Sequence, residues 1–340
     1  MLNQTRPDLN SDYPDKLLAL DRAALLVDTV CRLAGAENLI SAESNRLRQA
    51  ILNYDTPQLF KYLLEAFSLQ GISDHAARSY MDHHGSPAWH DLQQATARPP
   101  ACSKLRSYWS FHGCGYRKDS RTCAQPWIAP HCSLPRHDLR NGRLNQTTYS
   151  LFLFIRDVAD GNLVEWVDQT LDQASLSSTA KHRASRMRSA LIDPLRNVFG
   201  VSDKLLNMAL ADILMAAPST KPTWIEVGSG MIAIDTLVHN FLLRTGIQRG
   251  LGAKHGFGPA CYAEGGCAEI IRLIASRIDA RQFNPDYPRV FPRFVQHAIW
   301  RYSAQLELNI CNGNNIDDCF RCSNKGCPLF HRCDRVALHA

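Results

Sequence analysis

The chain has 340 residues, 45% of them hydrophobic, with twelve cysteines and a formal net charge of +6. That length can bury one or two cores, and no apolar run reaches the roughly 20 residues needed to span a bilayer. The start, MLNQTRPDLNSDYPD, is polar and lacks the apolar stretch of a secretory signal; the expectation is a soluble, cytoplasmic protein with no membrane partner.

Apolar spacing near three and four predicts helices over 16–36 (KLLALDRAALLVDTVCRLAGA) and 42–70 (AESNRLRQAILNYDTPQLFKYLLEAFSLQ). The stretches GSPAW and TARPPAC break that pattern and set the end of a helical N-terminal region, residues 1–100. Residues 101–143 are poor in aliphatics and rich in Cys, His, Arg and aromatics, the composition of a metal-stabilised module rather than a self-sufficient core. Helical patterns return over 144–310 in YSLFLFIRDVA, NLVEWVDQTL, LLNMALADILM, MIAIDTLVHNFLLRTG, AEIIRLIASRI and FVQHAIWRYSAQLEL, and residues 311–340 form a Cys-rich tail. Alternating strand patterns are scarce, so the fold class is mostly α.

Charge and cysteine are unevenly spread. Residues 101–150 hold eight Lys and Arg against two Asp and Glu, an excess as large as the whole chain's. A second basic run, KHRASRMR at 181–188, holds four positive charges and a histidine. Such patches suit a polyanion such as nucleic acid, although a solvated helix face explains the second run equally well. In an intracellular chain, clustered thiols point to metal rather than disulfides. Four of them lie from Cys102 to Cys132 and five from Cys311 to Cys333.

The stretch VFGVSDKLLNMALADIL, 198–214, reads as a helix end, a tight turn at Gly200 and a new helix from about Asp203. A helix–hairpin–helix of this kind offers backbone N–H groups around Gly200 and Ser202 to a DNA phosphate without reading bases. Downstream stands MIAIDTLVHNFLLRTG, 231–246, and the tail reads CNGNNIDDCFRCSNKGCPLFHRC. Together these three segments resemble, in the same order, the hairpin and catalytic-lysine segment, the catalytic-aspartate segment and the four-cysteine [4Fe–4S] loop of the helix–hairpin–helix DNA glycosylases of the endonuclease III class. The resemblance covers roughly residues 144–333. It implies a helix–hairpin–helix glycosylase core carrying a helical N-terminal extension and a Cys-rich inserted module. It also implies that Lys204 is the nucleophile, Asp235 the catalytic aspartate, and double-stranded DNA the partner of a monomer, associated with the nucleoid in a bacterium.

The residue types suit that chemistry. Breaking an N-glycosidic bond builds oxocarbenium charge that a carboxylate can stabilise, and a lysine of lowered pKa can attack C1′ to form a Schiff base. The base must first leave the stack, at a cost of a few kcal/mol. Taken alone, Asp235 reads as a helix N-cap before TLVHNFLLRTG and Lys204 as a solvent-facing helix residue. The chain departs from the family pattern at three places: Ser202 replaces the hairpin's second glycine, Leu237 replaces the histidine that often follows Asp-Thr, and MAAPSTKPTWIEVG lengthens the Lys204–Asp235 spacing.

In the tail five cysteines compete for four positions. Cys311, Cys319, Cys322 and Cys327 leave gaps of 7, 2 and 4 against the family's 6, 2 and 5. The pair Cys327–Cys333 has the gap of 5 but places Asn324 where the second ligand should stand. A [4Fe–4S] cluster on four of the five is the reading the resemblance implies, and a zinc on the same thiolates is the alternative. Upstream, Cys102, Cys114, Cys123 and Cys132 are separated by 11, 8 and 8 residues with His112, His131 and His137 nearby. They are read as a structural zinc site, with unligated thiols as the alternative, and the basic and aromatic residues around them (Tyr108, Trp109, Phe111, Tyr116, Arg117, Lys118) as suited to DNA contact. Cys31, Cys261 and Cys267 read as isolated thiols. Gln146, near the start of the helix in RLNQTTYSLFLF, stands where related enzymes fill the gap left by the flipped base.

The expected activity is a DNA glycosylase with abasic-site lyase activity. A monofunctional glycosylase in which Asp235 activates water, or a catalytically silent DNA-binding protein, are the alternatives.

Overall fold

The computed structural model describes residues 12–34, 42–69, 79, 82–83, 87–117, 122–129, 132, 134, 143–176, 183–312 and 316–338. The protein is mostly helical, as the spacing predicts. Its helices are α1 (Asp12–Ala34), α2 (Ala42–Leu52), α3 (Thr56–Ser68), α4 (Trp89–Thr96), α5 (Tyr108–Phe111), α6 (Arg143–Asp157), α7 (Leu163–Leu176), α8 (Arg183–Leu195), α9 (Asp203–Met215), α10 (Pro222–Ser229), α11 (Thr236–Arg244), α12 (Ile247–Gly250), α13 (Cys267–Ala275) and α14 (Pro292–Ser303). The sheet among the described residues is one antiparallel pair, β1 (Tyr116–Arg117) on β2 (Thr122–Cys123), with Tyr116 opposite Cys123.

The chain forms two compact units. One is contiguous, residues 40–231; the other is split, residues 1–39 with 232–340.

In the contiguous unit, α3 starts where the Asp55 carboxylate accepts the Gln58 N–H (3.0 Å) and Pro57 sits in the first turn. Its face of Leu59, Phe60, Leu63, Leu64 and Phe67 is buried against α2, α4, α6 and α9. Burying each such side chain contributes roughly 1.5–3 kcal/mol. Helix α6 is buried on all sides from Tyr149 to Ile155, so it lies inside its unit rather than on its surface.

Residues 101–117 join that same core instead of standing as a separate module. Leu105, Tyr108 and Phe111 are buried in it. Tyr149 donates its hydroxyl to the Leu105 carbonyl, and Tyr108 donates its own to that of Pro194. Their aromatic rings supply the packing surface that aliphatics supply elsewhere. The insertion after α9 becomes α10, held where Trp224 Nε1 donates to Asp168 on α7 (2.7 Å) and Lys221 pairs with the same carboxylate.

In the split unit, α1 packs Leu20, Ala23, Leu26, Val27, Val30 and Ala34 inward, and it contacts α12, α13 and α14. The tail is clasped back onto this unit: Asp334 accepts from Arg22 on α1 (2.7 Å) and from Arg249 on α12 (2.8 Å). Gly246, at φ +80°, is required there, because a Cβ would lie 2.0 Å from Asp334 Oδ2. The first hundred residues are therefore not one region. Their first helix completes one core, and α2 to α4 complete the other.

Candidate functional site

The turn between α8 and α9 is built for a left-handed residue, and Gly200 supplies it at φ +75°. Helix α6 pins the turn: Thr147 Oγ1 donates to the Phe199 carbonyl (2.8 Å), and the Phe199 N–H donates to Ser150 Oγ (3.2 Å). Ser202 is the N-cap of α9 in extended conformation and makes no side-chain cap hydrogen bond. The first-turn N–H groups of α9 are thus not met by its hydroxyl, the condition under which a helix N-terminus binds an anion.

Lys204 lies half-buried in that first turn, where it makes no hydrogen bond or ion pair with a described residue. Its neighbour Asp203 is already engaged by Arg196, in a bond pair of 2.8 and 2.9 Å. Lys204 belongs to the contiguous unit, and Asp235 to the split unit.

Asp235 caps α11: its Oδ1 accepts the Val238 N–H at 2.9 Å, and its side chain is half-buried. Capping engages Oδ1 without neutralising the carboxylate. The preceding run Met231–Ile234 is buried, and the Ile234 N–H donates to the hydroxyl of Tyr262 at 2.8 Å.

Three residues at the upstream end are placed differently from the sequence reading. Gln146 is turned inward, 2% exposed, with its amide directed at the Tyr116 carbonyl (3.4 Å). Tyr108 and Phe111 are core residues, which leaves Trp109 as the exposed aromatic of that trio. Lys118, His131 and His137 lie outside the described residues.

Around Gln146 the structure gathers three of the four upstream thiols. Burial raises the Cys114 pKa first, and the nearby thiols of Cys132 and Cys102 raise it further. Cys123 stands on β2, where its sulfur accepts the Gln125 N–H (3.3 Å).

In the tail, Cys319 is exposed and Cys322 buried. Burial, chiefly, pushes the Cys311 thiol up to about 12; Arg244 opposes the shift, and Cys333, Cys327 and Cys322 add to it. Tyr302 ties the group together, holding Cys327 Sγ at 3.2 Å from its hydroxyl while its carbonyl accepts the Cys311 N–H. Cys333 donates to the carbonyl of Arg244 (3.6 Å), whose buried guanidinium pairs with Asp318 at 2.5 Å. Neither cysteine set brings three sulfurs within 4.8 Å of one another.

One set of ligand atoms does meet that distance among the described residues, and sequence reasoning missed it. His239, His255, Cys261 and Cys267 all place a ligand atom within 4.8 Å of one another, an arrangement that can hold a metal ion. His239 Nδ1 lies 3.3 Å from Cys267 Sγ and 3.6 Å from Cys261 Sγ, and His255 Nε2 lies 3.6 Å from Cys267 Sγ. Cys261, Cys267 and His239 are buried. The hydrogen bond from Cys267, with His239 adjacent, lowers the pKa of Cys261 toward thiolate. The ligand gaps of 15, 5 and 5 contain no CxxC pair. The available signal was two cysteines in a loop with glycines at 252, 256, 258, 265 and 266, following a histidine in a helix.

A groove lined by Tyr54, Trp89, Phe152 and Arg156 lies elsewhere in the contiguous unit and includes none of these residues. No helix among the described residues is long and apolar enough to cross a membrane. Comparison with known protein families, curated proteins and solved structures finds no match.

Proposed function

We propose that the protein is a DNA glycosylase with abasic-site lyase activity, removing a modified or damaged base from duplex DNA. The observation that carries this reading is the hairpin: a left-handed Gly200, an N-cap Ser202 without a side-chain cap bond, and a half-buried Lys204 with no partner among the described residues stand within five residues. The N–H groups suit a phosphate, and no carboxylate among the described residues ties the Lys204 side chain away from a nucleotide held there.

In this reading the Lys204 amine attacks C1′ of the extruded nucleotide, and the bond to the base breaks. The base leaves with a proton, and the sugar opens to an imine on Nζ. Loss of a C2′ proton then expels the 3′ phosphate by β-elimination, and water releases the enzyme from the imine. Asp235 stabilises positive charge on the sugar as the glycosidic bond lengthens and handles the proton. The basic run ending in α8 adds phosphate affinity.

In the tail, Cys311, Cys322, Cys327 and Cys333 would hold a [4Fe–4S] cluster, with exposed Cys319 left out. In support, Cys322, Cys327 and Cys333 lie near enough to Cys311 for their charges to act on it, and the buried Arg244 would offset the negative charge of thiolates. Such a cluster orders the tail. The set at Cys102, Cys114, Cys123 and Cys132 lacks the close approach of a zinc site, and no metal is assigned to it.

The test is base release from a panel of duplexes each holding one altered base, using the full chain and Asp235→Asn. Release by the former alone supports the reading. Release from no substrate, or equal release by both proteins, overturns it.

A further inference from the structure

The geometry points to a structural zinc ion held by His239, His255, Cys261 and Cys267, which fastens the loop 251–266 to α11 and, through Tyr262, braces the segment that presents Asp235.

Tetrahedral zinc with two nitrogen and two sulfur ligands sets nitrogen–sulfur separations of roughly 3.6 Å and a sulfur–sulfur separation of about 3.8 Å. Two of the nitrogen–sulfur distances here, both 3.6 Å, match that value, and the third, 3.3 Å, is slightly shorter. Four protein ligands close the coordination shell, which is the structural rather than the catalytic form of a zinc site. Gln248, 1% exposed, brings its amide nitrogen to 3.2 Å from Cys267 Sγ, an outer-shell donor to a thiolate.

The loop gives the ion its task. Of residues 251–266, Cys261 and Gly266 alone are buried, so packing supplies little to hold sixteen residues in one path. Gly266 cannot be replaced there, because a Cβ would lie 2.3 Å from the Ala260 carbonyl oxygen. His239 lies one turn beyond Asp235 on α11, and Cys261 is bonded in sequence to Tyr262, whose hydroxyl accepts the Ile234 N–H. The metal thus ties both sides of Asp235, His239 after it and Tyr262 against the residue before it. The bracing half of this inference rests on reading Asp235 as catalytic; the metal half does not.

The experiment is metal analysis of the full chain purified without chelator, as wild type, His255→Ala, His255→Cys and Tyr262→Phe. The wild type should hold a zinc equivalent that His255→Ala loses and His255→Cys, which restores a ligand, regains, with iron unchanged in all four. Cobalt(II) in place of zinc should give thiolate charge-transfer absorbance that His255→Ala weakens. Zinc content equal in wild type and His255→Ala overturns the site, as does recovery of Cys261 and Cys267 as a disulfide in metal-free wild type. Tyr262→Phe should keep its zinc and its duplex affinity while its single-turnover base release falls several-fold. An unchanged rate overturns the bracing role. If the wild type releases no base at all, the glycosylase reading fails while the zinc measurement still decides the metal.

Discussion

Arg196 clasps Asp203 across the hairpin with two parallel bonds, Nε to Oδ1 at 2.8 Å and Nη2 to Oδ2 at 2.9 Å. The pair joins the segment after α8 to the first turn of α9 and removes from that turn the carboxylate nearest Lys204 in sequence. The hydrogen bonds that Arg196 donates to Asp203 raise its pKa above the ordinary value, although burial opposes the shift. An acidic residue at a helix N-terminus is intrinsically favourable, but in the proposed function it would repel a phosphate held by the same N–H groups. Arg196 resolves that conflict by neutralising it.

Substituting Arg196 with Ala should therefore weaken duplex affinity more than it weakens the fold. Both side chains are substantially exposed, 49% and 28%, so stability should fall by about 0.2–1 kcal/mol. Affinity measured by fluorescence anisotropy at fixed salt should fall about two- to fivefold, from one lost charge and two unmasked carboxylates, Asp203 and Asp193. Unchanged affinity would contradict a phosphate-facing hairpin.

At Asp235, capping and chemistry separate by substitution. Asn caps nearly as well as Asp, whereas Ala loses the bond to the Val238 N–H, at a cost of about 1 kcal/mol. Denaturation should find Asp235→Asn close to wild type and Asp235→Ala weaker. Base release should vanish in both. Activity that tracks stability instead would make Asp235 a cap and nothing more.

The cysteines of the tail divide by burial. Cys319→Ser should keep its iron and its visible absorbance, because that side chain is exposed. Cys322→Ser should lose both. Iron retained by Cys322→Ser and lost from Cys319→Ser would reverse the assignment.

Acid should loosen the clasp at Asp334. Burial would raise its pKa, but the hydrogen bonds from Arg22 and Arg249 outweigh burial and hold it below the ordinary carboxylate value. A depressed pKa contributes stability that is complete above the unfolded value near 3.9 and is lost as pH falls through the folded one. Wild type should lose thermal stability relative to Asp334→Asn below about pH 5, modestly, since both arginines are largely in water. Parallel pH profiles would show that the clasp contributes nothing.

Much of this was legible in the sequence because it is local. The 3.6-residue spacing marks the helices, the glycine marks the hairpin turn, and Asp before Thr-Leu-Val marks the cap of α11. Assembly was less legible. Nothing within residues 1–100 signals that α1 completes one unit and α2 to α4 the other, since partner choice depends on surfaces hundreds of residues away. Tyr108 and Phe111 looked like contacts for DNA because they sit among basic residues, yet their rings fill the core beside Tyr149 and Phe154. The candidate metal ligands His239 and Cys267 were hidden for the same reason. They lie 28 residues apart, and the chain must fold before their spacing means anything.

In the proposed function Lys204 forms an imine with DNA. Borohydride reduction of the full chain mixed with a duplex containing one abasic site tests it most directly, with Lys204→Ala alongside. A covalent protein–DNA adduct is expected for the wild type and none for Lys204→Ala. Equal trapping by both proteins, or trapping by neither, would contradict it.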